Sequence, residues 1–372
     1  SELFHYNRVE GAYTGVALTA GLGAREPGLT LRGATGWAWA EQTTRGQLGA
    51  ELRRGRWAYG AGWGRALDMT NDFVSPFDST AALAALLGSQ DEYDYVDRHF
   101  ALLSATRLFT SGSAPGGRRA VLRAEGGIVS DRAEERRTRR GLLPVSGGFR
   151  ENRGVTPGRY GRATLTLDFD PDVTAEFVRP GVGGRLRYTV GAGDLDFRRA
   201  EGRLVARATR GPVTYAARLE GGVVTSDAPP PQQLFELGGT QRLSGYDYKE
   251  FAGDQAASAG VIVMRALPFW RSPLRVRRFF YFPAPAPALA VALESGWVEA
   301  SNDAARNAVR LLGERVDPAT GAAVPISRPT DGVRTSVELG VRFFGGSIGV
   351  GIARPVDRGA RWRGVVVLGQ EP

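Results

Sequence analysis

The sequence of 372 residues contains no cysteine and only two histidines, His5 and His99. A chain without cysteine forms no disulfide, no thiolate nucleophile and no cysteine metal site. Two isolated histidines among scattered carboxylates also lack the spacing typical of a metal site. No stretch approaches the ~18 consecutive apolar residues of a transmembrane helix, which excludes membrane spanning by helices. The first residues, Ser1–His5, lack the charged start and apolar core of a signal peptide, so we expect the sequence to be a mature or excised form if the protein is exported.

One sequence motif imitates a catalytic site. Residues Gly345–Gly349 read G-x-S-x-G, the pattern of a serine-hydrolase elbow, which needs a strand-to-helix turn, a histidine and an acid. Here the motif joins two predicted strands, where a glycine hairpin turn is the simpler interpretation. Ser104 follows His99 by five positions, which puts the two side chains on opposite faces of a strand. We therefore predict no enzyme activity, no catalytic residue and no bound cofactor or metal.

Basic residues exceed acidic ones, 48 against 39, for a formal net charge of +9. Such a balance is compatible with binding to nucleic acid, with anionic lipid headgroups or simply with solubility. The arginines are dispersed over alternating strand positions and do not form a basic face with interleaved aromatic residues. The pattern therefore argues against a nucleic-acid partner.

Apolar and polar residues alternate with a period of two in about fifteen segments. In the segment 159–169, glycine, alanine, leucine and phenylalanine occupy one face, while tyrosine, arginine, threonine and aspartate occupy the other. Many segments run to about ten residues, the length of a tilted membrane-spanning strand and longer than the ~5–6 residue mean of soluble sheets. The polar faces are rich in arginine, threonine and glycine, which suit a wet lumen. The sequence thus predicts an all-β fold, a transmembrane antiparallel β-barrel of about 16 strands.

The barrel is predicted to occupy residues 1–372 as a single domain, with long loops between strands at 70–92 and 131–157. Residues 79–88 have a serine cap, alanine and leucine content and a terminal glycine, so we predict a short helix there. One further segment, 233–255, is long, rich in glycine and aromatic residues, and does not alternate. Irregular backbone is allowed inside a wide barrel, where it meets water and protein. We predict that this segment folds into the lumen; an outward surface loop without a task is the alternative.

The segment 233–255 carries three spaced motifs, and a fourth follows at the end of the next strand. They read LGG, LSGY, FAGD and RALP, and their residues are Leu237, Gly238 and Gly239; Leu243, Ser244, Gly245 and Tyr246; Phe251, Ala252, Gly253 and Asp254; and Arg265–Pro268. Their order resembles the conserved inward-folding loop of the bacterial surface-antigen superfamily, which includes BamA- and TamA-type assembly factors and two-partner secretion transporters. The resemblance implies a barrel in the bacterial outer membrane.

The chain departs from the family pattern at one position of the loop. The family's loop arginine is Ser244 here, and its acidic partner on the barrel wall aligns with Glu294. In the family this pair pins the loop to the wall through a charge-assisted hydrogen bond. Because alternate residues of an extended segment share a face, we expect Arg242 to take the role of the missing arginine.

The resemblance also implies a function and partners. The barrel would insert or translocate unfolded or exported polypeptides through a lateral seam between its first and last strands, at Gly15, Val16, Leu18, Val365, Val366 and Val367. A seam with few paired strand bonds can open sideways and template an incoming strand. The implied partners are outer-membrane lipid, lipopolysaccharide and N-terminal periplasmic domains or accessory lipoproteins. The alternative that the residues leave open is a passive or anion-selective pore with an arginine-rich wall.

Overall fold

A computed structural model shows one large antiparallel sheet. The structure describes residues 3–23, 26–70, 82, 85–87, 91, 93–110, 119–142, 148–175, 179–239, 242–276, 280–316, 321–357, 359 and 361–368. The sheet has 16 strands, each paired with its neighbours in chain order. They are β1 (Phe4–Asn7), β2 (Gly11–Gly21), β3 (Leu29–Ala38), β4 (Thr43–Arg54), β5 (Trp57–Met69), β6 (Tyr95–Thr110), β7 (Arg119–Ala133), β8 (Gly158–Phe169), β9 (Gly181–Gly193), β10 (Phe197–Arg210), β11 (Val213–Thr225), β14 (Gln255–Ala266), β17 (Ala288–Glu299), β20 (Arg334–Phe343), β21 (Ile348–Pro355) and β22 (Arg363–Leu368).

The other elements are short and lie in the connections. Three two-stranded pairs join β12 (Phe235–Leu237) to β13 (Phe251–Gly253), β15 (Leu274–Val276) to β16 (Phe280–Phe282), and β18 (Glu314–Val316) to β19 (Ala323–Pro325). The described elements also include two α-helices, α1 (Pro171–Ala175) and α2 (Asp303–Leu311), and two single 3₁₀ turns. None of the helices within these described ranges is both long and apolar enough to cross a membrane.

The predicted all-β fold of about 16 antiparallel strands is confirmed. One strand was not predicted, and one predicted bound was wrong. Strand β1 precedes Gly11, and its four residues are too few to show an alternation. The long loop after β7 runs from 134 to 157, since β7 extends to Ala133. Of the helix predicted at 79–88, only residues 82 and 85–87 belong to the described part, and these are helical.

The two faces of the sheet differ in polarity. On β11, the large apolar side chains of Tyr215, Leu219 and Val223 are exposed, while Arg218 and Glu220 between them are buried. The same alternation places Leu204, Val291 and Val350 on the exposed face. We call this apolar face the outer face and the polar face the inner face, because the loop 226–254 packs against the latter.

The connections alternate between two ends of the sheet. The longest ones, at 70–94, 134–157, 226–254 and 300–333, share one end, which we call the long-loop end. The other end includes the tight β4–β5 and β10–β11 turns. The loop 226–254 contacts both the chain leading into β6 and the last strand, β22, as described below. The sheet therefore curls around this loop, with its polar face inside.

Candidate functional site

The loop between β11 and β14, residues 226–254, lies on the inner face as a packed body. Its β12 and β13 strands pair from Phe235↔Gly253 to Leu237↔Phe251. Phe235, Tyr246 and Phe251 are each only 1% exposed. They share one apolar cluster with inner-face residues of six wall strands: Val129, Tyr160, Phe197, Val224, Ala256 and Val298. The loop motif aromatics thus bind the loop to the inside of the curved sheet.

The wall makes room for the loop with glycines. A Cβ on Gly222 of β11 would lie 2.2 Å from Cζ of Phe235, and one on Gly296 of β17 would lie 2.7 Å from Cδ1 of Leu237. The loop uses glycine in the same way, since a Cβ on Gly253 would lie 2.0 Å from the carbonyl oxygen of Glu299. The close fit of loop and wall therefore depends on glycines from both sides.

Arg242 anchors the loop, but not to the partner that the sequence suggested. Its Nε and Nη2 donate to the two carboxylate oxygens of Glu220 on β11, at 2.5 and 3.1 Å. Glu294 on β17 instead accepts from the backbone N–H and the hydroxyl of Ser244, at 2.7 and 2.8 Å. The prediction that Arg242 pairs with Glu294 was wrong, because Leu243 has a φ of +60° and the segment turns here. Arg242 and Ser244 therefore reach two different strands.

The carboxylate of Glu220 collects three guanidinium groups. Besides Arg242, it faces Arg203 of β10 at 3.1 Å and Arg218 of its own strand at 3.6 Å. All four side chains are at most 10% exposed. A buried carboxylate needs such partners, because ionised groups lose their hydration when water is excluded. Sequence reasoning missed Glu220, although its inner-face position on a strand with arginine on the same face was visible.

A second set of ion pairs joins the loop to the start of the chain. Lys249 of the loop contacts both Asp94 and Glu236, with 2.5 Å between its Nζ and Oε2 of Glu236. Arg8, in the β1–β2 turn, donates to Asp94 at 2.9 Å. Lys249 is 5% exposed and Asp94 is 1% exposed. This Asp94 cluster therefore connects the first hairpin, the chain before β6 and the loop inside the curved sheet.

The charges of the Asp94 cluster stabilise one another. Burial raises the pKa of Asp94, but four surrounding cations hold it well below its usual range: Arg150, Lys249, Arg8 and Arg153. Burial lowers the pKa of Lys249, and the carboxylates of Asp94 and Glu236 raise it above its ordinary value. Both groups are therefore ionised at neutral pH.

The loop also contacts the last strands of the sheet. Nη1 of Arg363 on β22 lies 3.0 Å from Oδ1 of Asp247. The hydroxyl of Tyr246 donates to Asp357, which also accepts from Arg334 at 2.5 Å. Contacts from β22 on one side and from the Asp94 cluster on the other show that the inner face surrounds the loop.

Helix α2 covers the long-loop side of the folded loop. Asn302 caps the helix by accepting from the N–H of Ala305, at 2.8 Å. The helix residues Ala305, Ala308 and Val309 pack with Leu234 and Ala252 in a second apolar cluster. Asp254 of the FAGD motif accepts from the N–H and hydroxyl of Ser301, at 2.8 and 2.5 Å. The motif aspartate thus fixes the β14 start to the segment that enters the helix.

A polar chamber of about 400 Å³ lies on the inner face beneath the loop. Gln232 and Gln233 of the loop line it, together with inner-face residues of β5–β10. Six arginines and four acids contribute: Arg98, Arg123, Arg162, Arg185, Arg187 and Arg199; Asp68, Glu125, Asp168 and Glu201. Several acids are shared, since Glu125 faces both Arg123 and Arg162, at 2.6 and 2.7 Å. The chamber wall carries an excess of positive charge.

The predicted seam residues lie on β2 and β22. The edge of the sheet beside β2 is β1, whose ladder reaches only from Asn7↔Gly11 to Phe4↔Thr14, with Gly15 N–H bonded to the Leu3 carbonyl. In the described part of the chain, the remainder of β2 has no ladder on that side, and neither has the free side of β22. Val16, Leu18 and Val366 face outward and are exposed, whereas Val365 and Val367 are buried with Ala353 on the inner face.

The G-x-S-x-G motif, Gly345–Gly349, forms a turn between two strands. The hydroxyl of Ser347 donates to the carbonyl of Phe344 at 3.1 Å, in the connection between β20 and β21. Across the described ranges, no group of three or more histidine, cysteine, aspartate or glutamate residues is placed to hold a metal ion.

Comparison with known proteins finds structural alignments but no matching protein family. No known protein-family profile matches the sequence, and no curated protein matches it. Among solved structures, CdiB from Acinetobacter baumannii aligns with a TM-score of 0.45 and 12% identity, over 96% of this chain and 56% of that one. CdiB from Escherichia coli aligns with a TM-score of 0.46 and 10% identity, over 96% and 57%. The chain spans little more than half the length of either protein.

Proposed function

We propose that this chain is an outer-membrane β-barrel of the surface-antigen superfamily that inserts or translocates polypeptides. The observation that carries the proposal is the folded loop. Three of the family-like motifs, LGG, LSGY and FAGD, lie within 226–254, and all of their residues except the half-buried Gly238 are buried. Glu294, the position aligned with the family's acidic partner, is one of the loop's anchors.

The outer face supports a membrane location. Soluble proteins rarely expose apolar patches larger than a few hundred Å². Here large apolar side chains are exposed on the strands from β2 to β22, for example Leu18, Leu103, Leu219, Val291 and Val366. Lipid stabilises an apolar outer face of this kind, while the charged inner face stays away from the membrane.

The seam hypothesis rests on the unpaired edges of β2 and β22. Unpaired strand edges template the addition of another strand. We propose that an incoming polypeptide pairs with these edges during insertion or passage. N-terminal periplasmic domains or accessory lipoproteins would deliver it.

A cross-linking experiment tests the proposal. Because the chain has no cysteine, pairs introduced along 15–21 of β2 and 363–367 of β22 would be the only thiols. Oxidation should stop polypeptide insertion or passage in proteoliposomes, and reduction should restore it. A matched pair across the β10–β11 ladder, at Leu204 and Leu219, should be without effect. Full activity with the β2–β22 pair locked contradicts the seam.

An anion-selective pore is the second candidate, and the arginine-rich chamber favours it. Six guanidinium groups line a space that the loop closes from one side. A wall with excess positive charge concentrates anions. In planar bilayers, steady anion-selective conductance that survives the locked β2–β22 pair would support the pore. Conductance that appears only when polypeptide is added would support translocation.

A further inference from the structure

A cleft opens on the outer face where β4 and β5 separate. Their ladder ends at Gly46↔Arg65. Beyond it, β4 continues along β3 to Thr43↔Ala38, while β5 continues along β6 to Met69↔Tyr95. The cleft between them has a volume of about 790 Å³ and extends over the outer face of β5–β8. We call it the β4–β5 cleft.

One row of outer-face side chains across four strands gives the cleft an apolar floor. The register aligns Leu48 with Trp63, Trp63 with Ala101, and Ala101 with Ile128. Leu48, Trp63 and Ile128 are 60%, 64% and 49% exposed. These side chains continue the apolar outer face directly into the cleft.

The next row toward the long-loop end is polar. Two residues farther along each strand, the register aligns Arg65 with His99, His99 with Ser130, and Ser130 with Arg159. Two residues of a strand span about 7 Å. Arg132 follows on β7, two residues beyond Ser130 and on the same face. The apolar row and the row that carries cationic side chains are therefore direct neighbours in the cleft.

The positive charges of the cleft are not all neutralised by the protein. Arg65 is paired with Asp97 at 2.9 Å and with Glu41 at 3.3 Å. The buried Arg45 contacts Asp97 at 2.5 Å and is shared with Glu10, Glu41 and Glu134. Arg132 and Arg159 are exposed, and neither guanidinium forms an ion pair with any residue in the described part of the chain. Two cationic groups are thus available directly above an apolar floor.

We propose that the β4–β5 cleft binds one phosphorylated membrane lipid. Its acyl chains lie on the Leu48–Ile128 row, and its phosphate contacts Arg132 and Arg159, with the Ser130 hydroxyl between them as a hydrogen-bond donor. The inference rests on the proposed membrane function, since only there does the outer face meet lipid. Charge complementarity selects the occupant, because an anionic head and apolar tails match the two rows.

Native mass spectrometry of the protein in detergent micelles tests this site. Phosphatidylglycerol and phosphatidylcholine of identical acyl chains are added in separate titrations. We expect one phosphatidylglycerol to bind more tightly than phosphatidylcholine. The double substitution R132Q/R159Q should weaken the first phosphatidylglycerol by roughly thirtyfold, because each basic residue near a lipid surface contributes a few-fold to tenfold.

The matched control removes two other arginines from the same face. Arg198 of β10 and Arg265 of β14 are exposed on the outer face outside the cleft, so R198Q/R265Q should leave the preference unchanged. A101W, which fills the apolar floor, should weaken both lipids. Soluble glycerol phosphate should not compete at concentrations that saturate the lipid site.

Each contrary outcome overturns the inference. Equal losses in the two arginine pairs would mean unspecific charge attraction, and competition by glycerol phosphate would mean a free-anion site. A doubled protein mass without lipid would identify a second copy of the chain as the occupant. Insertion of the variants into liposomes is measured in parallel. A protein that inserts but shows no lipid preference contradicts only the cleft, whereas one that does not insert contradicts the proposed function.

Discussion

Removing the Arg242 side chain should release the loop from the wall without unfolding the sheet. Arg242→Ala deletes two charge-assisted hydrogen bonds to Glu220, at 2.5 and 3.1 Å. Deleting one partner of a buried pair costs ~3–5 kcal/mol when the other charge is left alone. Glu220 keeps Arg203 and Arg218, so we expect a smaller cost of ~2 kcal/mol in loop docking, in the range of a lost hydrogen bond to a charged group.

The opposite substitution should be worse. Glu220→Ala leaves Arg203, Arg218 and Arg242 close together without their shared carboxylate. We expect it to cost ~3–5 kcal/mol because three buried cations then lack their anion. Glu220→Ala should be the more damaging variant because one carboxylate serves three guanidinium groups. A simple pair would give equal effects.

Limited proteolysis with chymotrypsin measures loop docking. Its sites at Phe235, Tyr246 and Phe251 are each 1% exposed and are unchanged in both variants. When opening is fast relative to cleavage, the cleavage rate follows the open population, and ~2 kcal/mol corresponds to roughly thirtyfold faster cleavage. Arg53→Ala breaks an exposed pair with Glu51 and should change the rate less than about twofold. An unchanged rate in Arg242→Ala would refute the anchoring role.

Three further predictions concern the same loop. Gly253→Ala should lower the thermal unfolding temperature of the detergent-solubilised protein, because its Cβ would lie 2.0 Å from the Glu299 carbonyl oxygen, whereas Gly23→Ala, with open space around it, should not. Ser244→Ala removes one hydroxyl bond to Glu294 and should raise the cleavage rate only about fivefold, as a loss of ~1 kcal/mol implies; a larger effect than Arg242→Ala would contradict our ranking. The pKa of Asp94 is depressed in the folded protein, so its ionised side chain contributes fully to loop docking above its unfolded pKa near ~4. That contribution is lost as the pH falls through the folded pKa, and protection of the loop from chymotrypsin should therefore weaken below about pH 4. Asp94→Asn should remove that acid step, and an identical step in the variant would exclude Asp94 as its cause.

The strands were predictable because each carries its own signal. A two-residue alternation repeats whether or not the neighbouring strand is known, so β8 and β20 are readable alone. β1 has four residues and lacks that repetition. Helix α2 carried a local signal, an Asn302 cap before an alanine-rich segment, and was overlooked between strong strand patterns.

The loop was predictable as an inward element, but its anchors were not. The partner of Arg242 depends on the positive φ of Leu243, which places Arg242 toward β11 and Ser244 toward β17. A leucine gives no sequence signal for that conformation. Lys249 and Asp94 are separated by 155 positions and meet only because the sheet curls around the loop. Contacts of this kind follow from the assembled curvature, which strand periodicity leaves undetermined.

Site-directed spin labelling tests the central claim, that lipid contacts the outer face and the inner face surrounds a polar interior. The absence of cysteine allows single labels at neighbouring positions of one strand, such as Leu293 on the outer face and Glu294 on the inner face of β17. In liposomes, we predict that oxygen dissolved in the lipid relaxes the label at Leu293 more strongly than a water-soluble nickel complex does. At Glu294 we predict the reverse order. Labels at both positions relaxed mainly by a water-soluble nickel complex would contradict the account.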